Sequence, residues 1–517
     1  MLADAMEQGG YDARLREVLK PVANGETLAD FGTAAAVIKP AHGGLEARLA
    51  AHGLQGKRAL FAAAAQQLLD GGVDGSAAVA AFWVPGRVEL LGKHTDYVGG
   101  RSLLAATNRG FAVVSADRAD PTLRVFAKGS VATISLAKAD AAAALPAEDW
   151  ALYPATAARR LVKNFGLEHG CDLSVGCDLP EASGMSSSSA MICLTFLALA
   201  KRNQLAARPE FAASFPTPEV LCHYLGCCEN GQSCGALPGD KGVGTFGGSE
   251  DHTAIMCCGA GQARQYAFCP TRLERVVDFS PELKLIIAVS GAEAHKGGDK
   301  LADYNNASLL ARWAAHAAGG AAAAAEAAAA GGSLTLATVV RAEAEKLQLP
   351  TDDPKVRDAV AALIAASDDG QYGPSGPTTG GAAGFAPGAL AQRFAQFWEE
   401  SEVLLPKAAA CLDTGGGGGV DPEIGALVDR SHANTVGLLK NTVAETEWLP
   451  GAAREKGALA ASAFGAGYGG SCWALATAER AEALCAEWQR AYLAQFPSRE
   501  GKASFFVMAP STGACLL

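Results

Sequence analysis

Leu179-Pro180-Glu181-Ala182-Ser183-Gly184-Met185-Ser186-Ser187-Ser188-Ser189-Ala190 joins two runs of different period. Ahead of it, Cys171 to Leu179 alternates as a strand does; beyond it, Ser186 to Arg202 reads as a strongly apolar helix. Small residues at such a strand-to-helix turn let backbone approach a ligand closely. The free N–H groups of the first helical turn and the positive end of the helix dipole face whatever sits there. Phosphate suits that position, and the serine hydroxyls add donors, together with oxygen ligands for the Mg²⁺ that accompanies a triphosphate. A Ser-rich helix cap without a ligand fits the same residues, so the stretch takes its meaning from its neighbours. The chain contains no Gly-x-x-x-x-Gly-Lys-Ser/Thr, which removes the P-loop reading.

Upstream lies Trp83-Val84-Pro85-Gly86-Arg87-Val88-Glu89-Leu90-Leu91-Gly92-Lys93-His94-Thr95-Asp96-Tyr97-Val98-Gly99-Gly100, a strand running into a loop of Lys, His, Asp and Tyr. Alternating donors and acceptors at short spacing are what a polyhydroxylated ligand requires, although a polar turn between strands has the same look. Downstream, Phe464-Gly465-Ala466-Gly467-Tyr468-Gly469-Gly470-Ser471-Cys472-Trp473 places glycines immediately before a strand-like run. Gly465, Gly467 and Gly470 imitate a dinucleotide-binding fingerprint, but they precede a strand and open no helix, so a Rossmann reading is rejected.

The three stretches in this order are more specific than any one of them. Pro85 to Gly100 resembles the sugar-binding signature of galactokinases, Gly184 to Ala190 the phosphate loop of the GHMP kinases, and Gly465 to Gly470 the C-terminal glycine motif of that family. The resemblance spans roughly residues 81–475. It implies an α+β fold in which a ribosomal-protein-S5-like N-terminal domain and a ferredoxin-like C-terminal domain enclose the active site. The expected division is a helical lead-in over 1–80, a sugar- and ATP-binding domain over 81–280 and the second domain over 281–517.

By the same resemblance Asp251, in Gly248-Ser249-Glu250-Asp251-His252, is the catalytic carboxylate that orients the acceptor hydroxyl and takes its proton, and Arg87 is the guanidinium that steadies it. Lys93, His94, Asp96, Gly248 and Tyr304 are expected at the sugar. Gly184, Ser186, Ser187, Ser188, Ser189 and Trp150 are expected at ATP, with Tyr153 as a second aromatic near the adenine. Ser188 and Glu229 are the expected Mg²⁺ ligands. The implied reaction is ATP-dependent phosphorylation of the anomeric hydroxyl of galactose or a related sugar.

One departure bears on the substrate. Galactokinases carry Gly-Glu-His-Thr-Asp-Tyr where this chain has Gly92-Lys93-His94-Thr95-Asp96-Tyr97. A cation in place of the glutamate pairs naturally with a carboxylate, which raises galacturonate or another uronate as an alternative; an internal partner for Lys93, Glu89 or Glu250, leaves galactose in place. A mevalonate- or homoserine-type kinase is disfavoured by the His94-Thr95-Asp96-Tyr97 string, and a sugar sensor without catalysis by the intact Arg87, Ser188 and Asp251.

Composition sets the outer limits. With 517 residues, 49% hydrophobic and 19% charged, the chain is long enough for two or three packed domains. A net charge of −11 and the lack of basic runs argue against nucleic acid, and no apolar stretch reaches the roughly 20 residues of a membrane span. The 14 cysteines are scattered, with Cys227/Cys228 and Cys257/Cys258 adjacent rather than spaced as metal ligands. They read as reduced thiols, and with no signal-like N-terminus the expected location is cytoplasmic. The Ala/Gly tract 314–332, the Gly/Pro-rich 368–388 and Gly415 to Gly419 read as insertions.

Overall fold

A computed structural model describes residues 45–137, 149–292, 299–329, 332–367, 372–373, 376–377, 384–413 and 420–517. Most of the lead-in, most of the 368–388 stretch and Gly415 to Gly419 lie outside the described residues.

Two antiparallel-rich sheets carry the chain. The first is built on β1 (Val79–Leu91) and β2 (Arg101–Asp117) and extended by β3 (Thr122–Ala127), β4 (Ser130–Ser135), β5 (Cys171–Cys177), β6 (Gln262–Ala267) and β7 (Arg272–Asp278). β1 runs as one long strand through Pro85. It absorbs the proline at a register shift between Pro85 and Arg87, the kind of irregularity at which a missing N–H is tolerated. A short ladder joins β9 (Tyr372–Gly373) to β10 (Gly376–Pro377). The second main sheet has the order β11 (Ala460–Phe464), β12 (Ser471–Thr477), β8 (Leu283–Val289), β13 (Ser504–Met508), all antiparallel. Helices between β8 and β11 and between β12 and β13 make this the βαββαβ, ferredoxin-like arrangement. The terminal β14 (Cys515–Leu516) returns to β1 and makes the first sheet eight-stranded.

Side-chain period explains how the layers stack. Along β1, Phe82, Val84, Val88 and Leu90 enter the main core, whereas Ala81 and Trp83 face a second cluster formed with the Leu45–Ala51 and Arg58–Asp70 helices. Both faces of the strand are covered, which is why its sequence is almost continuously apolar. In the second sheet Leu285, Ile287, Trp473 and Leu475 join the main core, while Ile286, Ala288, Cys472 and Ala474 pack under the Ala444–Glu455 and Ala481–Gln495 helices.

Between β8 and β11 lies a helical layer, Asp299–Ala329 to Ala389–Trp398, with its own core of Val340, Val356, Ile364, Leu390 and Phe394. The Ala tract is part of this layer. Ala314 and Ala315 are buried, and the helix breaks its geometry at Gly320, whose φ is +76°. Tyr97 and Val98 of the first glycine-bounded loop pack into the same cluster. No helix among the described residues is long and apolar enough to cross a membrane.

The Arg58–Asp70 helix belongs to the folded unit, since Phe61, Ala64, Ala65 and Leu68 are fully buried against the sheet. Phe61→Ala is expected to cost about 3–5 kcal/mol in denaturant unfolding. A loss below about 1 kcal/mol would show that this helix is peripheral.

Candidate active site

Arg87 stands where the three sequence stretches meet. It is 3% exposed at the register shift in β1. Its Nε donates to Asp251 Oδ1 at 2.8 Å and its Nη2 lies 2.8 Å from the same oxygen, while Nη1 donates to the Gly184 carbonyl at 2.6 Å. One planar guanidinium therefore fixes the carboxylate at the start of the Glu250–Cys257 helix and the Ser-rich loop together. The glycine stretch completes the convergence. Gly465 N–H donates to Glu89 at 3.1 Å, the Ala466 carbonyl lies 3.0 Å from His94 Nε2, and Ser471 Oγ donates to the Ser183 carbonyl at 2.6 Å. At Gly465 φ is +78°, and an added Cβ would lie 2.9 Å from the Gly184 carbonyl, so glycine is required twice over.

These residues border a solvent-open cleft of about 520 Å³, lined by Arg87, His94, Asp96, Ser189, Asp251 and Tyr304 among others. Ser189 Oγ donates to Asp251 Oδ2 at 3.3 Å, which puts the second oxygen of that carboxylate beside the serine loop. Asp96 Oδ2 accepts the Glu250 N–H at 3.1 Å, and an added Cβ on Gly248 would collide with that carboxylate. His94 sits in the left-handed region at φ 57°, held by Ala466 and by a 2.9 Å contact from Nδ1 to the Tyr97 hydroxyl, with the Tyr304 ring 5.5 Å away.

The residues expected at the nucleotide lie on the serine loop and the elements beside it. Ser186, at φ 60°, precedes the Ser187–Arg202 helix, whose first N–H groups have no intrahelical partners. Ser186 Oγ is buried and has no hydrogen-bond partner among the described residues. An orphaned hydroxyl beside free helix N–H groups fits an anionic ligand such as a triphosphate. Beside Ser188, the Tyr153 hydroxyl is pushed up to about 12 by burial. Trp150 packs half-buried against the main core and does not line the cleft. Glu229, at the end of the Pro218–Asn230 helix, lines the cleft and lies 3.0 Å from His252 Nε2.

Lys93 is placed differently from its sequence expectation. It is 1% exposed, donates to Ser431 Oγ at 3.1 Å and lies 3.9 Å from Glu400 Oε1, outside the cleft lining. Its charge is matched inside the protein, by Glu400 more than 300 residues away and by the nearby charge of Glu89, and the uronate alternative thereby loses the residue that motivated it. Glu400 also accepts the Gly92 N–H at 2.9 Å and the Ser431 hydroxyl at 3.0 Å. From the same helical run Gln396 donates to the Lys93 carbonyl at 3.1 Å and Arg393 donates to the His94 carbonyl. Sequence reading missed this clamp, because a helix face carrying Arg393, Gln396 and Glu400 looks like any solvated helix until its partner loop is known.

Burial dominates the electrostatics. The Glu89 carboxyl is pushed up to about 7 and that of Asp96 to about 6, in both cases mainly by desolvation. Glu250, which accepts from Ser102 Oγ at 2.7 Å, is raised well above the carboxylate range by burial and by neighbouring carboxylates.

Residues 74–116 match the galactokinase galactose-binding signature, 153–237 the GHMP kinases N terminal domain and 419–494 the GHMP kinases C terminal domain. Three stretches of the chain thus match GHMP kinase models in their family order. The galactokinase of Levilactobacillus brevis is 37% identical over 115 residues, 21% of this chain and 29% of that protein. The galactokinase of Bacillus subtilis is 31% identical over 112 residues, again 21% and 29%. The chain thus spans under a third of the length of the curated relatives it matches. The crystal structure of Lactococcus lactis galactokinase complexed with galactose superposes on this GHMP-type fold with a TM-score of 0.61 at 20% identity, covering 85% of this chain and 95% of that one.

Two outcomes follow from the buried charges. Lys93→Met strands Glu400 and is expected to cost about 3–5 kcal/mol, most of it recovered in Lys93→Met/Glu400→Gln. Equal loss in both variants would show that the two side chains are not coupled. The second concerns pH. Glu89 binds its proton near 7 when folded against 4.5 in its ordinary state, so the folded protein holds more protons between those values and stability falls as pH rises through that window. Glu89→Gln is therefore expected to melt above the wild type at about pH 8 and to lose that advantage by about pH 4.5, whereas a pH-independent difference in melting temperature would exclude this titration.

Proposed function

We propose that the chain transfers the γ-phosphoryl group of ATP to the anomeric hydroxyl of galactose or a closely related sugar. The observation that carries this reading is the Arg87–Asp251 pair, joined by one guanidinium to the Ser-rich loop and opening onto a cleft bordered by His94 and Asp96 of the matched galactose-binding signature. His94, Asp96, Gly248 and Tyr304 hold the sugar. Gly184 and Ser186 to Ser189 take the phosphates, with Trp150 and Tyr153 toward the adenine. The division near residue 280, between a sugar- and ATP-binding part over 81–280 and a second part over 281–517, follows the change from the first sheet to the second.

In the transfer the sugar oxygen bonds to the γ-phosphorus, the bond from that phosphorus to the ADP oxygen breaks, and the hydroxyl proton passes to Asp251 and then to solvent. Arg87 orients Asp251 and offsets charge on the transferring group. The hydroxyl of Ser188 and the carboxylate of Glu229 are hard oxygen donors of the kind Mg²⁺ takes. Bound there, the ion would neutralise charge on the β- and γ-phosphates. Fourteen free thiols suit a reducing, cytoplasmic setting.

Purified protein is expected to release ADP from ATP faster with galactose than with galacturonate, arabinose or N-acetylgalactosamine. Asp251→Asn should lower kcat by about 10²-fold or more with ATP binding retained. Nucleotide and sugar binding without ADP release in the wild type would favour a sensor over an enzyme.

A further inference from the structure

The Pro218–Asn230 helix presents His223 and Cys227 one turn apart on one side, and the chain then turns back so that Cys234 joins them. We propose that His223, Cys227 and Cys234 form a site for a thiophilic divalent cation, Zn²⁺ by donor type, separate from the phosphoryl-transfer cleft.

One ligand atom from each of the three residues lies within 4.8 Å of the other two. His223 Nε2 and Cys227 Sγ are 3.6 Å apart. Tetrahedral Zn²⁺, with Zn–S near 2.3 Å and Zn–N near 2.0 Å, sets neighbouring donors about 3.5–3.8 Å apart, so this pair already has the required span. Cys234 completes the set, its Sγ within 4.8 Å of both other ligand atoms. Its position is fixed by a tight turn. Cys234 N–H donates to the Leu237 carbonyl and Leu237 N–H to the Cys234 carbonyl, both at 3.0 Å, with Gly235 at φ 54° between them. The Gln232 N–H donates to the Cys227 carbonyl at 2.9 Å and ties this turn to the helix end.

Arg160, 1% exposed, donates to the Gln232 carbonyl at 2.6 Å and helps fix the turn that carries Cys234. His223 is only half-buried, which leaves an entry path and a fourth position for water. A pair such as Cys222 and Cys257, 3.3 Å apart in the main core, has neither an imidazole nor access. Two thiolates and an imidazole select Zn²⁺ over Mg²⁺, so this site does not compete with ATP for its cation.

Cobalt reports thiolate ligation directly. The reduced, metal-stripped full chain is expected to take up one equivalent of Co²⁺ with a thiolate-to-cobalt charge-transfer band and tetrahedral visible bands, and Zn²⁺ should displace it. Cys234→Ser should remove most of the charge-transfer intensity and weaken Zn²⁺ binding by more than the roughly 10–100-fold that loss of an outer-shell partner costs. His223→Asn, a milder change at a half-buried position, should weaken Zn²⁺ binding with ADP release unchanged. The proposal is overturned if no charge-transfer band forms, if the band persists unaltered in Cys234→Ser, or if the untreated protein has a mass two hydrogens low that maps to a Cys227–Cys234 disulfide.

Discussion

A single buried guanidinium holds this site together. Arg87 spends two of its nitrogens on Asp251 and a third on the Gly184 carbonyl, and its backbone sits at the register shift that bends β1. The carboxylate beside the cleft and the serine loop are far apart in sequence and come from different elements. Only a rigid, multidentate cation fixes both at once. Its burial makes the arrangement demanding, because an unpaired guanidinium at that depth would be strongly destabilising. Asp251 and Glu250 therefore serve the fold as well as any chemistry.

A second buried ion pair sets the loop that follows β1. Lys93 and Glu400, with Ser431, anchor the loop from Gly92 to Gly100 to the helical layer, and Arg393 and Gln396 hold two of its carbonyls. Loop backbone without regular partners has to satisfy its carbonyls elsewhere, and here one helical run does so. This helical layer, of which the 314–332 tract reads as an insertion in the sequence, thus supplies the wall against which His94 is held in the left-handed region. Continuity of the main core across both sheets keeps the two halves of the cleft in fixed relation, with Trp473 donating from the second sheet to the Leu90 carbonyl of the first at 3.2 Å.

Much of this was legible from local sequence. Period-2 patterning located β5 to within two residues, and the strand–serine loop–helix junction fell within one residue of its expected place at Ser187. The three motif stretches were legible because each carries its residue types in a short window, whereas Asp251 was reached only through the family resemblance. The reading of Lys93 failed for the opposite reason, since its partner Glu400 lies more than 300 residues away and no local pattern announces it. The same holds for the metal-ligand-like set of His223, Cys227 and Cys234. His223 and Cys227 have helical spacing in plain view, but Cys234 joins them only through the turn at Gly231 and Gly235.

The sequence by itself determined the elements, the α+β class and the residue types gathered in the motifs, because period, turn chemistry and glycine requirements are local properties. Tertiary structure alone decided which charges meet. Whether a buried lysine faces a ligand or a glutamate, and whether a serine hydroxyl is satisfied or left open, depends on long-range packing and on the desolvation that packing imposes.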